Sequence, residues 1–168
     1  RGLGDVYKRQ PIPVLAFVVY PYLKRYTWFC HWWLGGCLAL APAGAWVGIT
    51  GEITSNSWYP DLLLVSLGVL VWIAAFDLGY AQMDIDSDKK NGIKSFPSRF
   101  SPPVTFTAIL VSIPIWAAAF SILSSLGAIL SVIFVVGVLV AGGNDFQNWW
   151  FRSHAATGWI LLISMQLS

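Results

Sequence analysis

Charge is scarce in this chain and concentrated in one place, the stretch FDLGYAQMDIDSDKKNGIKSFPSRF from Phe76 to Phe100. Asp77 sits inside an apolar run. Asp84, Asp86 and Asp88 close that run, and Lys89, Lys90, Lys94 and Arg99 follow. A helix continued past Met83 sets Asp77, Tyr80, Asp84 and Asp88 at spacings of three and four, on one face. Asp84 and Asp88 then have Cβ atoms about 6 Å apart. Two carboxylates so placed repel each other, and an approaching diphosphate adds to the repulsion. A divalent cation resolves both problems, because magnesium is held by one or two carboxylates, waters and phosphate oxygens. Lys89, Lys90 and Lys94 supply point charges to the same phosphates, and Gly92 permits a tight turn after the helix. The opposing reading is a solvated loop of mixed charge, and DxxxD alone does not exclude it. A carboxylate still inside the apolar run favours function.

The elements that position this stretch follow from composition. The 168 residues are 57% hydrophobic and 11% charged, with ten tryptophans and a mean hydropathy of +0.65. A soluble domain carries about 25% charged residues, so the class is integral membrane and the fold all-α, a polytopic transmembrane helical bundle. The net charge of +2 says little about partners, and nothing points to nucleic acid or to a protein partner. Cys30 and Cys37 are two helical turns apart, roughly 10 Å along the axis and beyond disulfide reach. They read as small packing residues.

In chain order, Pro11 to Leu23 is an apolar run ending in YPYLKR, shorter than the roughly 20 residues that span a bilayer. Trp28 to Thr50 is a full span. Its Gly35, Gly36, Ala39, Ala43 and Gly44 permit close helix contact, and Pro42 predicts a kink or break. A polar loop, GEITSNS, precedes the span from Trp58 to Met83, which opens on the aromatic anchors Trp58 and Tyr59. After the charged connection come Val104 to Leu123, with Pro114 inside it, a tight SSLG turn, and Leu126 to Ala141. The polar stretch GGNDFQNWWFRSH then leads to a last apolar segment, Ala155 to Ser168. Both ends read as cut within helices, so residues 11–168 are expected to form one transmembrane domain incomplete at both ends.

Loops on one side carry Lys24 and Arg25, then Lys89, Lys90, Lys94 and Arg99, then Arg152, and those on the other side carry no Lys or Arg. The positive-inside rule therefore places the Asp-rich connection in the cytoplasm; a bacterial inner membrane is the expected location. By the same alternation residues 1–10, RGLGDVYKRQ, would lie outside despite Arg1, Lys8 and Arg9. They read as a non-native, adapter-derived head. His31 has no partner at metal spacing and reads as a packing or interfacial residue. Arg152 and His154 read as interfacial anchors on the last loop, and Asp145 as a turn residue. No GxSxG, HExxH, Walker or dinucleotide fingerprint occurs.

YAxxDxxxDxxxGxKS, read as Tyr80–Ser95, resembles the second aspartate-rich motif of the UbiA superfamily of intramembrane aromatic prenyltransferases. YPYLKRYTW (Tyr20–Trp28), ahead of a Gly/Ala-rich span with APAGAW (Ala41–Trp46), is similar to that family's YPxxKR segment and the helix after it. SFPSRF is similar to the SIPxRF ending of 4-hydroxybenzoate polyprenyltransferases and their menaquinone-pathway relatives. The resemblance covers roughly residues 11–168 and implies about the last five to six helices of a nine-helix fold. It implies a Mg2+-dependent transferase that moves a polyprenyl group from its diphosphate to an aromatic acceptor, with the bilayer as its surroundings. By the same resemblance, Asp84 and Asp88 match the magnesium–diphosphate aspartates and Lys94 a diphosphate contact. Tyr20, Lys24 and Arg25 match the segment at the cytoplasmic mouth, near diphosphate or acceptor. Asp77 and Tyr80 match the helix leading into the motif, with a supporting or acceptor-side role. The family's first motif, NDxxDxxxD, does not occur in the 168 residues, so the chain alone is expected to be inactive.

The acceptor implied first is 4-hydroxybenzoate, in ubiquinone biosynthesis. A menaquinone or futalosine-pathway acid, or another quinone precursor, is the alternative. An alternative of another class is a transporter fragment with Asp77 as its ion site. Against it stands the nearly unbroken apolar run LLLVSLGVLVWIAAF before Asp77.

Overall fold

A computed structural model describes residues 11–51, 61–143 and 145–167 of the chain. The head at 1–10, most of the GEITSNS loop, and the anchors Trp58 and Tyr59 lie outside the described residues. Every regular element described is helical: α1 (Pro11–Tyr26), α2 (Cys30–Thr50), α3 (Asp61–Ala81), a 3₁₀ turn (Gln82–Asp84), α4 (Ile85–Lys90), α5 (Phe96–Arg99), α6 (Pro102–Phe120), α7 (Ser125–Ala141) and α8 (Phe146–Leu167). Their boundaries follow local chemistry. α2 stops at Gly51, which adopts a left-handed φ of 73° and returns its N–H to Val47 O at 2.9 Å. Proline opens α6, where its missing N–H costs no intrahelical bond. Ser124 caps α7 by accepting the Gly127 N–H at 3.1 Å.

Helix α3 is the hub, packing against α2, α6 and α8, while α1 lies on α2 and α7 on α8. Three stretches, Cys30–Thr50, Asp61–Lys90 and Pro102–Phe120, are long and apolar enough to cross a bilayer. The core gathers Leu78, Ile109, Trp116, Val135 and Trp150. Large apolar side chains such as Leu63, Leu67, Val111, Ile133, Trp159 and Ile163 face outward. That is the expected surface of a protein solvated by lipid, and the chain is an integral membrane protein.

Small residues set the close contacts. A Cβ on Gly35 would collide with the Leu70 carbonyl of α3, and one on Gly127 with Ser164 of α8. Gly36 and Gly44, expected to share this role, have open space beside them. Gly79 leaves a notch into which the Trp150 indole fits, and Trp150 Nε1–H donates to Phe76 O at 3.0 Å.

Several expectations need correction. Of the kink or break expected at Pro42, the break does not occur, since α2 is continuous from Cys30 to Thr50. The polar stretch before the last apolar segment is no loop beyond Asp145, because α8 already begins at Phe146. Part of the helix's polar set lies on the inward face: Ser153, His154 and, further along α8, Thr157 are buried with Trp150, while Asn148 and Arg152 are exposed with Trp149, Phe151 and Trp159. In lipid that inversion is favourable, since polar groups find partners only inside the bundle. His154 is therefore no interfacial anchor, and its Nδ1–H donates to Trp150 O at 3.0 Å. Arg152 is exposed, its guanidinium 5.3 Å from the Trp149 ring centroid.

The helix carrying the aspartates is also not uniform. After Ala81 it tightens into a 3₁₀ turn, and α4 restarts at Ile85. Asp77, Tyr80, Asp84 and Asp88 therefore do not share one regular helix face. Carboxylates oppose the dipole at a helix C-terminus and complement it at an N-terminus. The restart places Asp86 and Asp88 in the first turn of α4, with Lys89 and Lys90 in its last.

Candidate functional site

The site is built at one end of α3, where four elements converge. Asp77, with a side chain 16% exposed, is the centre of the buried part. Tyr20 on α1 donates its hydroxyl to Asp77 Oδ2 at 3.3 Å. His31 on α2 is fully buried and sets Nδ1 2.7 Å from the same oxygen. Its other nitrogen, Nε2, accepts the Phe96 N–H at 3.1 Å, at the start of α5. A backbone N–H can only donate, so Nε2 carries a lone pair and Nδ1 the proton. The His31–Asp77 contact is thus a hydrogen bond from a neutral ring to a carboxylate.

Beyond Asp77 the site opens. Asp84 is exposed, and its side chain has no hydrogen-bond or ion-pair partner among the described residues. Asp88 is half-buried and accepts the Ser95 hydroxyl at Oδ2, which leaves its other oxygen free. Gly92, at a φ of 68°, makes the turn that brings the chain back. The Ile93 N–H then donates to Asp88 O at 2.8 Å, and the Lys94 N–H to Lys24 O at 2.7 Å. That last bond seats the returning chain on the end of α1. An aromatic cluster holds α5 from the other side, with the Phe96 ring 5.6 Å from Trp28, 5.5 Å from Trp32 and 4.3 Å from Phe100.

The sequence-predicted residues thus divide. Asp77 and Tyr20 meet directly. Lys24 Nζ lies 5.0 Å from the Tyr20 ring centroid, beside the network, and Arg25 is exposed. Lys94 reaches the site through its backbone, with its ammonium group unpaired among the described residues. The Tyr80 ring packs on Phe76 at 5.6 Å and joins neither the Asp77 network nor the Asp88–Ser95 pair. No cluster of three or more His, Cys, Asp or Glu forms among the described residues. The free oxygens of Asp84 and Asp88 are nonetheless the hard donors that magnesium takes when waters and phosphate complete its shell. In chemistry they suit a part of such a shell.

His31 and Ser95 were the residues missed. The signal for His31 was an accounting one: a carboxylate inside an apolar run needs donors, and the span before it holds few polar side chains. Ser95 lay in the GIKS segment, read there for its lysine.

Comparison with known proteins bears on the family and the fold. The polyprenyl transferase yanG of Aspergillus niger is 33% identical over 129 residues, covering 76% of this chain and 37% of that protein. A 4-hydroxybenzoate octaprenyltransferase of Pseudomonas fluorescens is 29% identical over 137 residues, covering 82% of this chain and 44% of the relative. The chain therefore spans less than half the length of these two relatives. The apo structure of a UbiA homolog from Aeropyrum pernix K1 shares the fold, with a TM-score of 0.71 at 22% identity over 92% of this chain and 62% of that one. The sequence profile of the UbiA prenyltransferase family matches residues 11–164, nearly the whole chain, and the chain belongs to that family.

Proposed function

We propose that this chain forms the second-motif half of a site that transfers a polyprenyl group from polyprenyl diphosphate to an aromatic acceptor, 4-hydroxybenzoate first among them. The observation that carries the reading is the pair of carboxylates at the end of a membrane helix, Asp84 exposed and Asp88 bonded to Ser95 through one oxygen, with the returning chain seated on α1 at Lys94. Asp84 and Asp88 would hold Mg2+, which when bound supplies positive charge against the diphosphate. Lys94, with Lys24 and Arg25 from α1, binds the phosphate oxygens and takes up charge as the allylic C–O bond breaks and its electron pair leaves with diphosphate. A ring carbon of the acceptor forms the new C–C bond, and the ring proton passes to water or a basic side chain. Asp77, Tyr20 and Tyr80 stand on the acceptor side, where Asp77 fixes the mouth of the site.

The distribution of lysine and arginine supports a cytoplasmic face for this end, and the likeness to bacterial octaprenyltransferases supports a bacterial inner membrane. The donors on Asp77 from both α1 and α2 speak for an organising carboxylate rather than an ion-conducting one. The test joins the chain to an upstream segment carrying NDxxDxxxD and measures prenyl transfer to 4-hydroxybenzoate with magnesium present. Transfer that is lost in Asp84→Ala and Asp88→Ala is the expected result. Transfer indifferent to both substitutions overturns the assignment of these residues.

A further inference from the structure

We infer that His31 is a positioning residue of the diphosphate site, a neutral imidazole that must donate to Asp77 and accept from Phe96 at once. The catalytic consequence rests on the prenyl-transfer reading above, while the geometry stands apart from it.

Phe96 opens α5, so its N–H is one of the first-turn donors with no acceptor inside the helix. His31 Nε2 is that acceptor. Only one state of the ring satisfies both neighbours, because an Nε2–H would meet the Phe96 N–H head on. Asp77 holds the proton on Nδ1 and so fixes the tautomer. At four residues, α5 is too short to hold its own shape. Its first residue and the two before it are pinned in succession: Lys94 N–H to Lys24 O at 2.7 Å, Ser95 hydroxyl to Asp88, and Phe96 N–H to His31 at 3.1 Å. The Lys94 anchor lies at the charged, open end; Ser95, His31 and Phe96 are all buried, and the Phe96 bond is the one of the three that ties the segment to α2. His31 thereby sets where the Lys94 backbone and the Asp88–Ser95 pair stand, without touching a phosphate itself.

A residue that only fills volume is replaceable by any side chain of similar size. A relay is replaceable only by one offering both a donor and an acceptor. Glutamine does so through its amide, and leucine fills the space with neither.

The test compares His31→Leu and His31→Gln in lipid nanodiscs. Hydrogen exchange across residues 93–98 is expected to speed up about tenfold in the Leu variant and to stay near the unsubstituted rate in the Gln variant. In protein joined to the upstream segment, the KM for polyprenyl diphosphate is expected to rise about tenfold in the Leu variant. The KM for the aromatic acceptor stays nearly constant, and Gln restores the diphosphate KM. Ring ¹⁵N shifts, assigned by the signal lost in His31→Gln, are expected to show the Nδ1–H form near pH 7. Unchanged exchange in His31→Leu, a Gln variant that behaves like Leu, or an Nε2–H spectrum overturns the proposal. Should His31→Leu fail to accumulate, the Gln variant and the ¹⁵N spectrum decide. An unsubstituted protein that transfers no prenyl group overturns the prenyl-transfer reading alone, since exchange and tautomer are read without turnover.

Discussion

The two ends of the segment from Phe76 to Phe100 are built on opposite principles. Around Asp77 the groups are buried and tied: one carboxylate oxygen takes donors from two helices, and His31 passes the connection on to Phe96. From Asp84 onward the charges, Asp88 apart, are exposed and mostly unpaired, with Ser95 on Asp88 the one side-chain bond there between the acidic turn and the returning chain. The tied end spends its polar groups on shape. The open end keeps its own available, so its carboxylates and lysines repel and attract one another at the surface until a ligand of opposite charge arrives. Rigid backing and an unsatisfied front are what a charge-binding site requires.

Substitutions separate the two ends. The largest effect is expected at the open end and on activity alone: Asp84→Asn or Asp88→Asn lowers kcat/KM for prenyl transfer about 1000-fold, roughly 4 kcal/mol. The thermal midpoint in detergent stays within about 2 °C. Asp77→Ala acts the other way. It strands the His31 Nδ1–H and the Tyr20 hydroxyl and costs about 3 kcal/mol of stability, readable as a lower thermal midpoint. Were that midpoint unchanged, the tied end would not be tied. Gly79→Ala forces a methyl into the Trp150 indole, and about 2 kcal/mol of destabilisation is expected from overpacking. Ser95→Ala removes one hydrogen bond, about 1 kcal/mol, and its effect on turnover should exceed its effect on unfolding, since it frees Asp88. The smallest change is Lys89→Gln, under about 0.5 kcal/mol in stability. A larger loss there would mean that the surface charges hold the fold together, and the contrast would collapse.

The sequence exposed the open end more readily than the tied one, for a physical reason. DxxxD and GxKS are local patterns, legible because an i, i+4 spacing brings side chains together wherever a helix forms. The spans were legible too, since twenty apolar residues in a row leave few alternatives. The His31–Asp77 bond joins residues 46 apart in sequence, and nothing local marks a lone histidine among tryptophans as a donor. The start of α8 was hidden by an inverted code. FQNWWFRSH reads as a polar loop under rules for water-soluble proteins, yet in lipid its Ser153 and His154 belong inside. The break after Ala81 was hidden by the opposite effect, a periodicity that continues in sequence although the carboxylates favour a restart in space.

The Trp150 latch on Gly79 has a bearing on how the protein is made. The two residues are separated by α4 to α7, so a ribosome releases the notch long before the indole that fills it. During synthesis α3 enters the membrane with Gly79 bare and the Phe76 carbonyl without its indole donor. Its backing arrives only with α8, translated after α4 to α7. A nascent chain arrested before Trp150 should therefore present the aspartate segment to membrane quality-control proteases in an unsupported state, and completion of α8 should be the event that protects it.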